Sequence, residues 1–332
     1  MLCLREEGIH ETERRADMRA WLVSKCPQFM AMTTEEPNTN GRHTDEVIAM
    51  KTRGDDPREV EITRKVRESV LASEWAREVS EKARAMLEAY MRETISRPTD
   101  KAFIQKRTQE VLAELALTLK SQIVEGEELL DNLPQGKPVL IVSNHFGAYK
   151  LWALNPADLG VRIEGYDYMA PFPGYFAALF PVSRRLKDRL SYASNEFPGV
   201  FGEVHKAAGF IHLPPTVQGG RTEYLENQTK AKIEEFPDSA FVIFPEGTTS
   251  GKPTGKGPYD LNPFKTGAYL IASRLGIPIV PAAQYFDPNR GFRIKVFPPF
   301  VPKMTDKAGY EAYAQANHDA MQEWLNSCSS RA

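Results

Sequence analysis

Two residues stand where an acid–base reaction would need them. In Leu140–Trp152, LIVSNHFGAYKLW, an apolar run ends at Asn144-His145, and in Phe241–Lys252, FVIFPEGTTSGK, a second ends at Glu246. A histidine that leaves a strand and opens a helix feels the positive end of the helix dipole. That favours the neutral imidazole, the form a general base requires. Taken singly, each residue has a plainer account: an imidazole bonded to nearby backbone, a carboxylate capping local N–H groups. Together they say more, because side chains at the carboxyl ends of strands in an open α/β sheet converge on one crevice.

Other chemistries fit less well. A phosphate-binding P-loop needs four residues between its first glycine and the Gly-Lys pair, with Ser or Thr after the lysine. Here three residues separate Gly247 from Gly251, and Pro253 follows Lys252. His10, His43, His205, His212 and His318 lack the spacing of a zinc-protease helix. Cys3, Cys26 and Cys328 lie near the chain ends, odd in number and without metal-ligand spacing, so neither a disulfide nor a metal is expected and a reducing compartment fits.

The elements that must position these residues follow from periodicity. Short apolar runs predict strands at Val139–Val142, Val161–Met169, Gly209–Leu213, Phe241–Phe244, Ile277–Ala282 and Arg293–Phe297. Between and after them, helices are predicted at Phe146–Leu154, Gly174–Tyr192, Thr222–Glu235, Pro263–Leu275 and Tyr310–Asn326. Alternation of this kind predicts an α/β fold, a mixed sheet flanked by helices. Ahead of it, residues 57–132 carry apolar positions at three- and four-residue steps, interrupted at Arg97-Pro98, and predict a helical hairpin. Residues 1–56 are polar and turn-rich and predict a disordered tail, which leaves 133–332 as the α/β domain.

A net charge of −2 gives no overall field to hold nucleic acid, and none is expected as a partner. No run approaches the roughly 18 apolar residues of a spanning helix. The start, MLCLREEGIHETERR, has no apolar signal core, so a cytoplasmic protein is predicted. A local exception is Tyr166–Arg189, where six aromatics precede Arg184, Arg185, Lys187 and Arg189. Aromatics beside basic side chains suit a headgroup interface, and a core helix with a solvated basic end suits them equally; peripheral membrane contact is one of two expectations here.

Asn144-His145, FPEGTTS at Phe244–Ser250, FKTGA at Phe264–Ala268 and GIPIVPAA at Gly276–Ala283 resemble, in order and approximate spacing, the glycerolipid acyltransferase family that contains the lysophosphatidic acid acyltransferases. HFGAYKL is also similar to the HFGNWEL of lipid A acyltransferases. The resemblance implies acyl transfer from a thioester, acyl-CoA or acyl-carrier protein, to a hydroxyl of a lipid or lysolipid. His145 would be the general base. Glu246 and Gly247 would position the acceptor, Phe264, Lys265 and Gly267, with Ile279 and Pro281, would shape the acyl site, and Asn144, Thr248 and Thr249 would also bind substrate. An already activated thioester needs no metal or redox cofactor.

The chain departs from that family pattern in three places. Where the family has an acid five residues after the histidine, this chain has Lys150, a cation that opposes formation of the imidazolium. Tyr149 and Lys150 are the candidate partners of His145 nearest in sequence, with Asp158, Glu164 and Asp167 the nearest acids. The arginines that phosphate-bearing acceptors call for are missing, from GFIHLPPT and from EGTT alike, so an acceptor without a phosphomonoester is expected. Lys150 also keeps open a second function, a degenerate member that binds acyl chains or lipids without turnover.

Overall fold

The computed structural model describes residues 74–134, 136–146, 177–184, 190–195, 199–213, 220–248, 250–251, 257–287 and 289–330. The expected tail, the strand Val161–Met169, the helix Phe146–Leu154 beyond Phe146, and most of Tyr166–Arg189 lie outside them.

The first described residues form the predicted hairpin, α1 (Glu74–Ile95) and α2 (Lys101–Thr118). The Arg97-Pro98 break ends α1, and Asp100 caps α2 by accepting the Phe103 N–H at 3.0 Å. Buried Tyr90 and Thr108 join the two helices through their hydroxyls at 3.0 Å. Beyond α2, Lys120 takes a positive φ of 48° and turns the chain into β1 (Gln122–Glu125). This strand falls inside the segment expected to be helical. With four residues, half of them polar, it has too little length to declare a period of two.

Six more strands follow: β2 (Val139–Ser143), β3 (Leu190–Asn195), β4 (Ile211–Leu213), β5 (Ala240–Ile243), β6 (Ile279–Asp287) and β7 (Gly291–Val296). They form one sheet in the order β1-β7-β6-β2-β5-β3-β4, parallel throughout except between β6 and β7. The helices are α3 (Phe180–Arg184), α4 (Gly199–Ala207), α5 (Arg221–Glu235), α6 (Gly267–Leu275) and α7 (Lys307–Ser329). The α/β class with a mixed, helix-flanked sheet is as predicted.

Two expected helices need correction. Gly174–Tyr192 is not one helix: α3 ends at Arg184, and Leu190, Ser191 and Tyr192 begin β3, where their alternation pairs Leu190 with Ala240 and Tyr192 with Val242. The basic stretch between the two had masked the change of period. Pro263–Leu275 begins as a loop, and the helix starts only at Gly267. Phe264 and Lys265 therefore stand on that loop.

Every residue of β2 is buried, as expected of a central strand covered on both faces. Leu140 and Val142 face one way, into a core with Phe241, Ile279, Tyr269 of α6, and Met321 and Trp324 of α7. Val139 and Ile141 are equally inaccessible on the opposite face. The hairpin reaches the sheet through Gln109 of α2, whose amide donates to the Leu190 carbonyl at 3.2 Å and accepts the Leu190 N–H at 3.0 Å. A side-chain amide thus supplies the pairing that the start of β3 would otherwise lack.

Candidate functional site

β2 and β5 are parallel neighbours, with Val142 level with Ile243, so the chain leaves the sheet at the same height at Asn144-His145 and at Phe244–Glu246. The two predicted sites are thereby one place. Asn144 is fully buried and extends the ladder with its side chain: its amide donates to the Gln284 carbonyl at 3.1 Å, and its carbonyl accepts the Gln284 N–H at 2.8 Å. This substitutes for the backbone pairing that stops as the chain turns out of the sheet. The Gln284 side chain returns the contact, donating to the Asn144 main-chain carbonyl at 3.0 Å.

His145 follows, half-buried, its ring edge-on to Phe244 with centroids 5.0 Å apart. Its main chain is held on both sides by the loop after β5. The His145 N–H donates to Glu246 Oε1 at 2.9 Å, and the His145 carbonyl accepts the Ser250 N–H at 3.0 Å. The loop turns at Gly247, where φ is +66° and an added Cβ would lie 2.5 Å from Lys265 Nζ. A glycine satisfies both the left-handed backbone and the close passage of that lysine.

Glu246 is the hub of this arrangement. It is 2% exposed, and both its oxygens are engaged. Oε1 accepts the His145 N–H and the Ser250 hydroxyl at 2.7 Å; Oε2 accepts the Asn262 N–H and side-chain amide, each at 2.8 Å. Burial pushes the carboxyl up to about 7, while the four hydrogen bonds pull towards the anion. The carboxylate therefore ties the exit of β2, its own turn and the loop ahead of α6 to one point. Lys265 N–H adds a link to the Pro245 carbonyl at 2.9 Å.

The other predicted residues fall around this hub unevenly. Thr248 is half-buried on the turn, while Thr249, Tyr149 and Lys150 lie outside the described residues. Phe264 points to the C-terminal helix, edge-on to His318 at 5.3 Å between centroids. Gly267 opens α6 where an added Cβ would meet Thr222 of α5 at 3.4 Å. Ile279 and Pro281 are buried on β6. Of Tyr166–Arg189, Phe180 is 6% exposed and Ala177–Leu179 are buried in the fold.

Sequence reasoning missed Ser250, Asn262 and Gln284. A polar residue in the apolar run IPIVPAAQYF was the available signal for the last; Asn262 carried none. Also unforeseen is a buried chain near β4: the Tyr192 hydroxyl lies 2.8 Å from His205 Nε2, and His205 Nδ1 lies 2.5 Å from His212 Nε2. Among the described residues no helix is long and apolar enough to cross a membrane.

Residues 183–284 match the family model described as Acyltransferase. No curated protein matches the chain. The matched segment runs from the end of α3 into β6 and includes Glu246, Gly247 and Phe264; Asn144 and His145 lie before it.

Proposed function

From a chain that carries this Acyltransferase segment, we propose an enzyme that moves a fatty acyl group from a thioester, acyl-CoA or acyl-carrier protein, to a hydroxyl of a lipid or lysolipid without a phosphomonoester. The observation that supports it best is the double grip of the Glu246–Ser250 loop on the main chain of His145, which fixes where the imidazole emerges. His145 takes the hydroxyl proton as the oxygen attacks the thioester carbonyl. The tetrahedral intermediate collapses by expelling the thiolate, which recovers a proton from the imidazolium. Glu246, with all its bonding directed inward, acts here by holding the loop, and Gly247 and Thr248 are parts of the turn that meet the acceptor.

Purified protein given an acyl thioester and a panel of acceptors should release free thiol only when an alcohol acceptor is present, and His145→Ala should abolish the release. Turnover that survives the substitution rules out this base. Glycerol phosphate as the best acceptor would overturn the acceptor class. Peripheral membrane contact through Tyr166–Arg189 belongs to the same proposal; liposome flotation that is unchanged by Arg184→Glu/Arg185→Glu removes it.

Lys150, where the resembled family has an acid, favours a second function: binding of acyl chains or lipids without turnover. Lipid that co-purifies with a protein inert towards every thioester and acceptor would select it. Residues 1–56 as a tail ahead of the helical hairpin remain part of the proposed organisation, with the α/β domain taken to begin at β1 (Gln122–Glu125).

A further inference from the structure

Lys265 carries a charge that the fold leaves unanswered. Its main-chain N–H is fixed to the Pro245 carbonyl at 2.9 Å, and its side chain lies over the turn that follows β5. There Nζ, Cε and Cδ stand 2.5, 3.1 and 3.4 Å from the place a Cβ on Gly247 would take. The missing methyl is what lets the stem rest on the turn. Lys265 and Gly247 are both exposed, so the ammonium is presented to solvent on the same loop whose Glu246 and Ser250 grip the main chain of His145. Glu246, next in the chain to Gly247, is no counter-ion: His145, Ser250 and Asn262 take up both its oxygens. No other carboxylate among the described residues pairs with Lys265. An ammonium has only donors, so it takes an anion or stays in water. It is a poor wall for an acyl chain, because stripping water from a lone charge is costly. The acyl-site role that the resemblance implies for Lys265 therefore suits it badly.

We propose that Lys265 is a specificity-determining residue for the reaction proposed above, its ammonium holding a diesterified phosphate of a substrate at the Gly247 turn. One point charge matches the single charge of a phosphodiester. The dianion of a phosphomonoester suits an arginine fork, which GFIHLPPT and EGTT both lack. Two substrates of thioester-dependent acyl transfer carry such a phosphate: a lysolipid acceptor, between its glycerol and its headgroup, and the donor, at the end of its pantetheine arm. In either, the phosphate lies several bonds from the reacting atoms. A contact there positions the substrate and takes no part in the exchange of bonds.

This inference rests on the acyl-transfer reading, and its tests keep the two apart. Lys265→Met retains the stem and removes the charge, and since the charge has no partner in the fold the variant should stay folded. Turnover is measured in four pairings, with lysophosphatidylcholine or monoacylglycerol as acceptor and acyl-CoA or acyl-N-acetylcysteamine as donor. In the pairings that contain the recognised phosphate, Lys265→Met should lower kcat/KM about tenfold more than in those without it, chiefly through KM. A loss that follows lysophosphatidylcholine assigns the phosphate to the acceptor, and one that follows acyl-CoA assigns it to the donor. An equal loss in all four pairings, or none, overturns the inference. Binding is read without turnover by titrating wild type into hexanoyl-lysophosphatidylcholine or into CoA. The 31P signal of at least one should broaden, with a Kd about tenfold weaker in Lys265→Met. A wild type that binds neither probe overturns the inference. A protein inert in all four pairings that still binds one probe through Lys265 fails the function and leaves the phosphate contact standing.

Discussion

Glu246 gives the site a pH dependence that can be read without substrate. In the unfolded chain its carboxyl ionises near the ordinary 4.5, whereas burial in the fold raises it to about 7. Between those values the folded state keeps a proton that the unfolded state has shed, so the contribution of this group falls as pH rises through the window and is level outside it. Wild type should therefore lose Tm between pH 4.5 and 7 relative to Glu246→Gln, which cannot titrate; parallel Tm profiles would dismiss the shift. Asn144→Ala removes both bonds to the Gln284 main chain and strands a buried N–H and C=O. Chemical denaturation should show a loss of about 2–4 kcal/mol. A loss under half of that would mean water replaces the side chain.

At the scale of elements, the loops gain their geometry from neighbours that sequence order conceals. Strands β2 and β5 were legible because each is a short apolar run with a polar exit, and their partnership follows once they lie side by side. β3 was not, because its alternation begins straight after a basic stretch that reads as a helix end. Asn262 was invisible for a different reason: its two bonds to Glu246 depend on a loop returning across 16 residues. Gln109 is a comparable case, a helix residue that completes a strand. Gln109→Leu should raise amide exchange at Leu190 and cost about 1–3 kcal/mol. Exchange confined to α2 would show that the hairpin, not the sheet, absorbs the loss.

For the molecule as a whole, the hairpin packs against α3 and α4 and buries apolar side chains that could not be left to water. Ile104, Val111, Leu112 and Leu115 of α2 are all inaccessible in the fold. A chain begun at Ser121 should thus be insoluble or bind a hydrophobic dye, and a soluble, cooperatively melting product would contradict this. The edge strand β1 has a further consequence. Gln122 lies level with Arg293 of β7, and their side chains meet although they stand 171 positions apart in the chain. β7 in turn passes so close to the end of α2 that an added Cβ on Gly291 would sit 2.2 Å from the Leu119 carbonyl. During synthesis at about 5–20 residues per second, β1 must wait on the order of ten to thirty seconds for β7. Over that interval an unpaired strand and an uncovered helical face are presented together, which makes the nascent chain, more than the finished protein, a client for chaperones.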